Sequence, residues 1–262
     1  QLAEHLGIKA ARIGTLGVSV GADKLIESDR TTPDAITLAS MFAELRSRDV
    51  NFVAMEVSSH ALDQGRVDGI PFTVGVITNL TRDHLDYHQT MEAYGVAKAR
   101  LFHDFVLKAA VFNTDDSFCR QLSKTTSQFN IVSYGSDADH VDIQSIRPTD
   151  SGSNIRVSIH GIAYDLKTSL LGAFNASNVM AAFAAMSALF PDDLDRLLAA
   201  IPKLQAAPGR MEWFRAPEFA TVVVDYAHTP DALENAIKTC KAHCVGEVWS
   251  VFGCGGDRDV GK

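Results

Sequence analysis

Cysteine is scarce in this chain of 262 residues, with four at positions 119, 240, 244 and 254. They are scattered, and Cys240-x-x-x-Cys244 falls on a helical pattern without a second pair, so reduced thiols are expected and zinc is a poor second. Positive charge is also short: 24 Lys and Arg face 32 Asp and Glu, a net charge of -8. That excludes a nucleic-acid surface, which needs clustered cations to neutralise phosphates. An anionic ligand would have to be held by a metal or by a few placed cations. No apolar run approaches the roughly 20 residues of a membrane span, and no signal peptide is visible. The expectation is a soluble cytoplasmic protein with no membrane insertion. The chain opens on Gln rather than Met and stops abruptly at Lys262, which reads as a piece of a longer protein.

Hydrophobic residues make up 46% of the chain, enough for a sizeable core, and the length suggests one to two domains. Gln1 to Gly7 reads as a helix tail capped by Gly7, followed by a strand over Ala11 to Val18. Thr32-Pro33-Asp34 reads as a helix start with cap, N1 proline and early acid, and Ile36, Leu38, Met41, Phe42 and Leu45 follow at helical spacing. Strands are expected at Phe52 to Val57, Phe72 to Thr78, Lys108 to Asn113 and Asn130 to Tyr134, with a helix capped by Thr90 between the second and third. This is α/β alternation with a mostly parallel sheet flanked by helices. From Asp139 to Thr168 the pattern alternates, with turn residues at Asp150-Ser-Gly-Ser153, and reads as a small antiparallel unit appended to the sheet. Helices over Leu171 to Leu189 and Leu194 to Ile201 precede a linker. The boundary is placed near Ala207, giving domains 1–207 and 208–262. The second begins with a strand Thr221 to Asp225, a helix Asp231 to His243 and a strand Glu247 to Phe252, the start of a Rossmann-like domain.

The chemistry concentrates at strand ends, where ligands bind in open α/β sheets. Asn79-Leu-Thr-Arg-Asp-His-Leu-Asp-Tyr-His88 follows one strand, and Glu56-Val-Ser-Ser-His60 ends another. Glu56 and His84 suit a divalent metal such as magnesium when a phosphate supplies further oxygens. The bland alternative is that His84 and Asp83 only cap the strand end. On pattern alone Lys98 is a solvated lysine of an amphipathic helix. Asp225-Tyr-Ala-His228 also follows a strand, where Asp225 could hold a ribose hydroxyl, cap the helix that starts at Pro230, or do both. Gly256 to Lys262 matches G-x-x-x-x-G-K, but Asp257 and Asp259 would oppose an anion there. A domain-interface or substrate loop is the better expectation.

Taken together these residues resemble the Mur ligases of peptidoglycan synthesis, most closely the MurE type, over essentially the whole chain. The motifs are Thr31-Thr32-Pro33, Met55-Glu-Val-Ser-Ser-His-Ala-Leu62 with Gln64 and Arg66, and Thr78 to His88. Others are Ala97-Lys98, Phe174-Asn-Ala-Ser-Asn178, Gly209-Arg-Met-Glu212, Asp225 to Asp231 and Gly253 to Asp259. The resemblance implies an ATP-dependent ligase that adds a diamino acid, meso-diaminopimelate or L-lysine, to UDP-N-acetylmuramoyl-L-alanyl-D-glutamate through an acyl phosphate, with Mg2+ as cofactor. It implies that Glu56, His84 and a carbamylated Lys98 hold the metal and carry the catalysis, which replaces the surface reading of Lys98. Thr31, Thr32, Ser58, Gln64 and Arg66 would hold the nucleotide-sugar peptide. Asn178, Arg210, Asp225 and His228 would lie on the ATP side, Asn178 toward adenine and Asp225 toward ribose. A monomer is implied.

The family's Gly-Thr-Asn-Gly-Lys-Thr loop, its N-terminal uridine-binding domain and the rest of its C-terminal domain lie outside this sequence, and with them the motif that selects the amino acid. The chain as given is therefore expected not to turn over ATP. Folylpolyglutamate synthetase and the ligase half of cyanophycin synthetase are alternatives, as is a non-catalytic module that binds the nucleotide sugar.

Overall fold

The computed structural model describes residues 1–21, 23–26, 30–228 and 230–253. Its first sheet contains β1 (Ala10–Gly14), β2 (Gly17–Val20), β3 (Asp23–Ile26) and β4 (Phe52–Met55), in the order β3-β2-β1-β4. Only β1 and β4 run parallel. The single strand expected over Ala11 to Val18 is thus a hairpin, because Gly14 pairs with Gly17 across Thr15-Leu16 and Gly17 takes φ 84°. A positive φ suits glycine and lets so short a loop close.

The second sheet follows the order β10-β9-β8-β7-β6-β5. Its parallel part is β5 (Val74–Ile77), β6 (Ala109–Asn113), β7 (Asn130–Gly135) and the start of β8 (Val141–Thr149). Strands β9 (Gly152–Ile159) and β10 (Ile162–Thr168) extend it antiparallel, as the alternation between Asp139 and Thr168 predicts. The sequence suggested one sheet; among the described residues no ladder joins β4 to β5. Packing unites the halves instead. One core places Ala10 of the first sheet with Val111 and Val132 of the second, and the other joins Ile13 and Val18 to Ala110 and Phe112.

Helices α1 (Leu2–His5), α2 (Ala35–Ser47), α3 (Ser59–Asp63), α4 (Leu85–His88), α5 (Met91–His103) and α6 (Ser117–Thr125) precede the antiparallel unit. Gly7 follows α1 at φ 82°, the left-handed conformation that ends helices. The cap of α2 is Asp34, whose Oδ1 accepts from the amides of Ile36 and Thr37. Thr32 is not the cap as expected, because its hydroxyl is engaged at the end of β4. On α2 the buried stripe is Leu38, Met41 and Leu45, whereas Ile36 is 81% exposed. Thr90 caps α5 as the sequence predicts, accepting from the Ala93 amide at 3.1 Å.

Helix α7 (Ala173–Leu189) is almost uniformly apolar, and it lies across β6, β7 and β8 with α8 (Leu194–Ala200) beside it. Beyond it, β11 (Glu212–Phe214) and β12 (Val222–Val224) pair antiparallel, and α9 (Pro230–His243) follows. The strand expected over Glu247 to Phe252 does not form. Among the described residues it pairs with no strand, and Trp249 and Val251 are 86% and 99% exposed. The loop from Gly253, past its first residue, lies outside the described residues, as does Thr229 of the Asp225 to Asp231 motif. Among the described residues no helix is long and apolar enough to cross a membrane, and Cys119, Cys240 and Cys244 are free thiols.

Candidate active site

The end of β4 is held by threonines. The Thr32 hydroxyl donates to the Glu56 carbonyl at 2.8 Å and accepts from the Ser58 amide at 2.9 Å. These bonds satisfy a backbone that has left its strand and fix the direction in which Glu56 emerges. Ser58 caps α3, accepting from the Ala61 amide. Glu56 Oε2 accepts from both the hydroxyl and the amide of Thr15, at 2.8 and 3.3 Å. Thr15 Oγ1 also lies 3.0 Å from Thr31 Oγ1.

A second group of side chains lies around α4 and α5. His60 packs edge-on against His84 with ring centroids 5.0 Å apart, and against Tyr87 at 4.1 Å. His84 is 5.9 Å from the Tyr94 ring, and Lys98 Nζ lies 5.1 Å above that same ring. His84 adopts the left-handed conformation, φ 54°, at the start of α4. Its amide donates to Asp83 Oδ1 at 2.8 Å, and its imidazole packs against the His60 and Tyr94 rings. His88, buried, shares a 2.9 Å hydrogen bond with Ser59 Oγ.

Lys98 is partly buried between Ala97 and Ala99, which are 4% and 8% exposed. Desolvation pushes its amine below the ordinary lysine range, opposed by the nearby Cys119 and Asp83. A solvated surface lysine would not be so placed. Gln64 and Arg66 form one unit with Tyr87. Arg66 Nε donates to Gln64 Oε1 at 2.9 Å, and Arg66 Nη1 donates to the Thr32 carbonyl at 3.0 Å.

The ATP-side residues assemble separately. Asn178, Arg210 and Asp225 line one cleft of about 940 Å³ between α7 and α9. Asp225 Oδ2 accepts from the Met211 amide and Oδ1 from the Ala227 amide, both at 2.9 Å. The carboxylate therefore ties β12 to the approach of β11; the cap of α9 involves Thr229, outside the described residues. His228 is exposed and outside the lining of that cleft; its ring stands 5.4 Å from Tyr226, over which Arg210 also lies. A smaller groove of about 380 Å³ at the end of β4 is lined by Thr15, Glu56, Ala207 and Arg210, the last two of which also line the larger cleft.

Among the described residues no three His, Cys, Asp or Glu side chains are grouped to hold a metal. The donor types of Glu56 and His84, a carboxylate and an imidazole, are ones that would suit an ion such as Mg2+ that keeps waters and takes few protein ligands. Gly14 leaves room for the Glu56 carboxylate: a Cβ there would stand 2.3 Å from Glu56 Oε1. Sequence reasoning missed Thr15, Tyr94 and His243. Thr15 sits between two glycines, a spacing that marks a turn, while Tyr94 and His243 carry no local signal.

Residues 1–186 match the Mur ligase middle domain and residues 209–262 the Mur ligase glutamate ligase domain. The chain is 42% identical over its whole length to the UDP-N-acetylmuramoyl-L-alanyl-D-glutamate--2,6-diaminopimelate ligase of Pseudomonas syringae pv. tomato, covering 54% of that protein. Against the ligase of the same name from Chromobacterium violaceum it is 44% identical over 98% of the chain and 52% of the relative. A solved structure of such a ligase superposes with TM-score 0.82 at 38% identity, over 98% of this chain and 53% of that one. The folylpolyglutamate synthase of Mycobacterium tuberculosis shares the fold, with TM-score 0.70 at 19% identity over 92% of this chain and 62% of that one. The chain spans about half the length of the curated relatives it matches.

Proposed function

The chain belongs to the Mur ligase family, and we propose that its residues serve ligase chemistry that joins a diamino acid to UDP-N-acetylmuramoyl-L-alanyl-D-glutamate with ATP, and that the chain as given does not itself turn over ATP. The relatives' names make 2,6-diaminopimelate the first amino acid to offer and L-lysine the second. The observation that carries the reading is that two sites share a wall: Glu56 and Arg210 both line the 380 Å³ groove, and Arg210 also lines the larger cleft. A phosphoryl donor on the Arg210 side and a carboxylate acceptor on the Glu56 side would meet there, and phosphoryl transfer depends mainly on such positioning.

In this reading Asn178, Arg210, Asp225 and His228 hold the nucleotide, with Asn178 toward adenine and Asp225 toward ribose. Thr31, Thr32, Ser58, Gln64 and Arg66 hold the nucleotide-sugar peptide. Glu56, His84 and Lys98 hold Mg2+, which when bound neutralises charge on the transferred phosphoryl group. Lys98 enters as a carbamate. Its lowered pKa enriches the neutral amine, whose lone pair can attack carbon dioxide; the N–C bond forms, a proton leaves, and a cation becomes an anion. The substrate carboxylate would then attack the terminal phosphorus of ATP, breaking its bond to the bridging oxygen and releasing ADP, and the incoming amine would displace inorganic phosphate from the acyl phosphate and lose a proton as the amide forms. We further propose a division between domains at 207/208, a monomer, and a cytoplasmic location, where ATP and the nucleotide sugar are both found.

Calorimetric titration tests the reading. Binding of the UDP-muramoyl dipeptide that Arg66→Ala weakens supports it. Binding of a folyl glutamate in preference to the dipeptide would favour the related ligases, and binding of neither would sink the proposal.

A further inference from the structure

We infer that Thr15 is a positioning residue for the metal ligand Glu56, a role resting on the reading of Glu56 given above. A carboxylate on a single-bonded stem rotates freely unless its oxygens are differentiated, and a ligating oxygen needs a fixed direction. Here the two oxygens are unlike. Oε2 accepts from the Thr15 hydroxyl at 2.8 Å and from the Thr15 amide at 3.3 Å. Oε1 takes no hydrogen bond among the described residues and lies over Gly14, where a Cβ would approach it to 2.3 Å. One oxygen is anchored, the other is presented, and a missing side chain makes the space.

The hydroxyl chemistry sets a direction. Thr15 has one hydroxyl proton, and it is given to Glu56. The 3.0 Å contact between Thr15 Oγ1 and Thr31 Oγ1 must therefore be a donation from Thr31 to Thr15. The relay runs Thr31 to Thr15 to Glu56 and leaves Thr31 Oγ1 only lone pairs to offer a ligand. Thr31 thus meets the nucleotide-sugar peptide as an acceptor, suited to an amide N–H or a sugar hydroxyl and not to a carboxylate or phosphate oxygen. Hydrogen bonding also lowers the electron density at Oε2, so Oε1 becomes the better ligand of the two.

The experiment is Mn2+ titration of the protein, with free ion read by electron paramagnetic resonance, on wild type, Glu56→Ala, Thr15→Val, Thr15→Ser and Gly14→Ala, each checked for an unchanged melting temperature. Thr15→Val keeps the shape and removes the hydroxyl. It is expected to weaken Mn2+ about tenfold or more, the usual effect of losing a group that holds a ligand in place, and Thr15→Ser is expected to restore binding. Gly14→Ala should weaken binding with the Thr15 hydroxyl intact, by pushing Oε1 aside. Binding lost in Glu56→Ala but kept in Thr15→Val, or not restored by Thr15→Ser, overturns the inference alone. Binding absent from wild type or untouched by Glu56→Ala overturns the assignment of the metal to Glu56, and the inference with it.

Discussion

His243, on the last turn of α9, accepts a hydrogen bond at Nε2 from the amide of Gly172, the residue that opens α7, at 2.8 Å. Its other nitrogen, Nδ1, lies 2.7 Å from the carbonyl of Thr149 at the end of β8. A carbonyl only accepts, so the ring is held as the tautomer protonated at Nδ1. One side chain therefore fastens α9 to the end of β8 and to the start of α7, and it lines the cleft that contains Asn178 and Arg210. His243→Phe keeps the bulk and removes both bonds. At about 1 kcal/mol each, the loss is expected to raise the opening of α9 by about 30-fold. Hydrogen exchange is the measurement: amides of residues 230–243 should exchange faster while those of β6 and β7 stay protected.

Gly152 follows the turn between β8 and β9 at φ 138°, and a Cβ there would lie 1.9 Å from the Thr168 carbonyl oxygen. The obstacle is backbone, which cannot swing aside as a side chain can. Gly152→Ala is expected to cost roughly 2–5 kcal/mol, combining left-handed strain with overpacking. Gly161, also at positive φ (84°) but with open space around it, should cost only about 1–2 kcal/mol for the conformation. Denaturant unfolding of the two variants measures the difference, and equal losses would refute the account.

The alternating stretch after Asp139 and the Thr90 cap were readable because each depends on neighbours within a few residues. What depended on distant partners was not. Thr32 looks like a helix cap in sequence, but the end of β4, some 24 residues away, recruits its hydroxyl, and Asp34 takes the cap. The Glu247 to Phe252 run has strand composition, yet composition cannot supply a neighbouring strand. At the site, Glu56 and His84 stand out because they directly follow strands, where ligands bind in open α/β sheets, whereas Lys98 reads on pattern as a surface lysine and only the resemblance marks it. Thr15 does not, since its role lies wholly in a contact 41 residues along the chain.

Acid should destabilise the antiparallel unit through His140. Its Nδ1 lies 3.2 Å from the Ser133 amide, which donates to it, and 3.0 Å from Ser133 Oγ. Because Nδ1 accepts from that amide it carries no proton, so the Ser133 hydroxyl donates to the ring while its oxygen accepts from the Asp139 amide. Burial pushes the His140 pKa below 6.5, His160 adds to the depression, and Asp139 opposes it. The unfolded chain then binds the proton more readily than the folded one. Stability is whole above pH 6.5 and falls as pH drops from 6.5 to the folded pKa, below which this group contributes no further slope. His60 and His88 are depressed for the same main reason and act in the same direction. Melting temperature against pH should therefore decline below 6.5, and His140→Gln, which can still accept from Ser133, should decline less steeply.

Tyr87 bears on substrate affinity without a need to touch substrate. Its hydroxyl donates to Asp63 Oδ2 at 2.7 Å and accepts from Gln64 Nε2 at 3.0 Å. Gln64 in turn receives Arg66, whose remaining arm reaches the Thr32 carbonyl. Without the hydroxyl, the Gln64 amide loses the contact that keeps Oε1 facing Arg66, while Asp63 is exposed and hydrates at little cost. Tyr87→Phe should therefore leave the melting temperature nearly unchanged and weaken the UDP-muramoyl dipeptide by about fivefold, the equivalent of about 1 kcal/mol. ATP affinity should not move, since Asn178, Arg210 and Asp225 lie in the other cleft. Calorimetry with each ligand separates the outcomes: an equal loss for both would mean that Tyr87 supports the fold, and no loss for either would mean that Gln64 and Arg66 hold their geometry unaided.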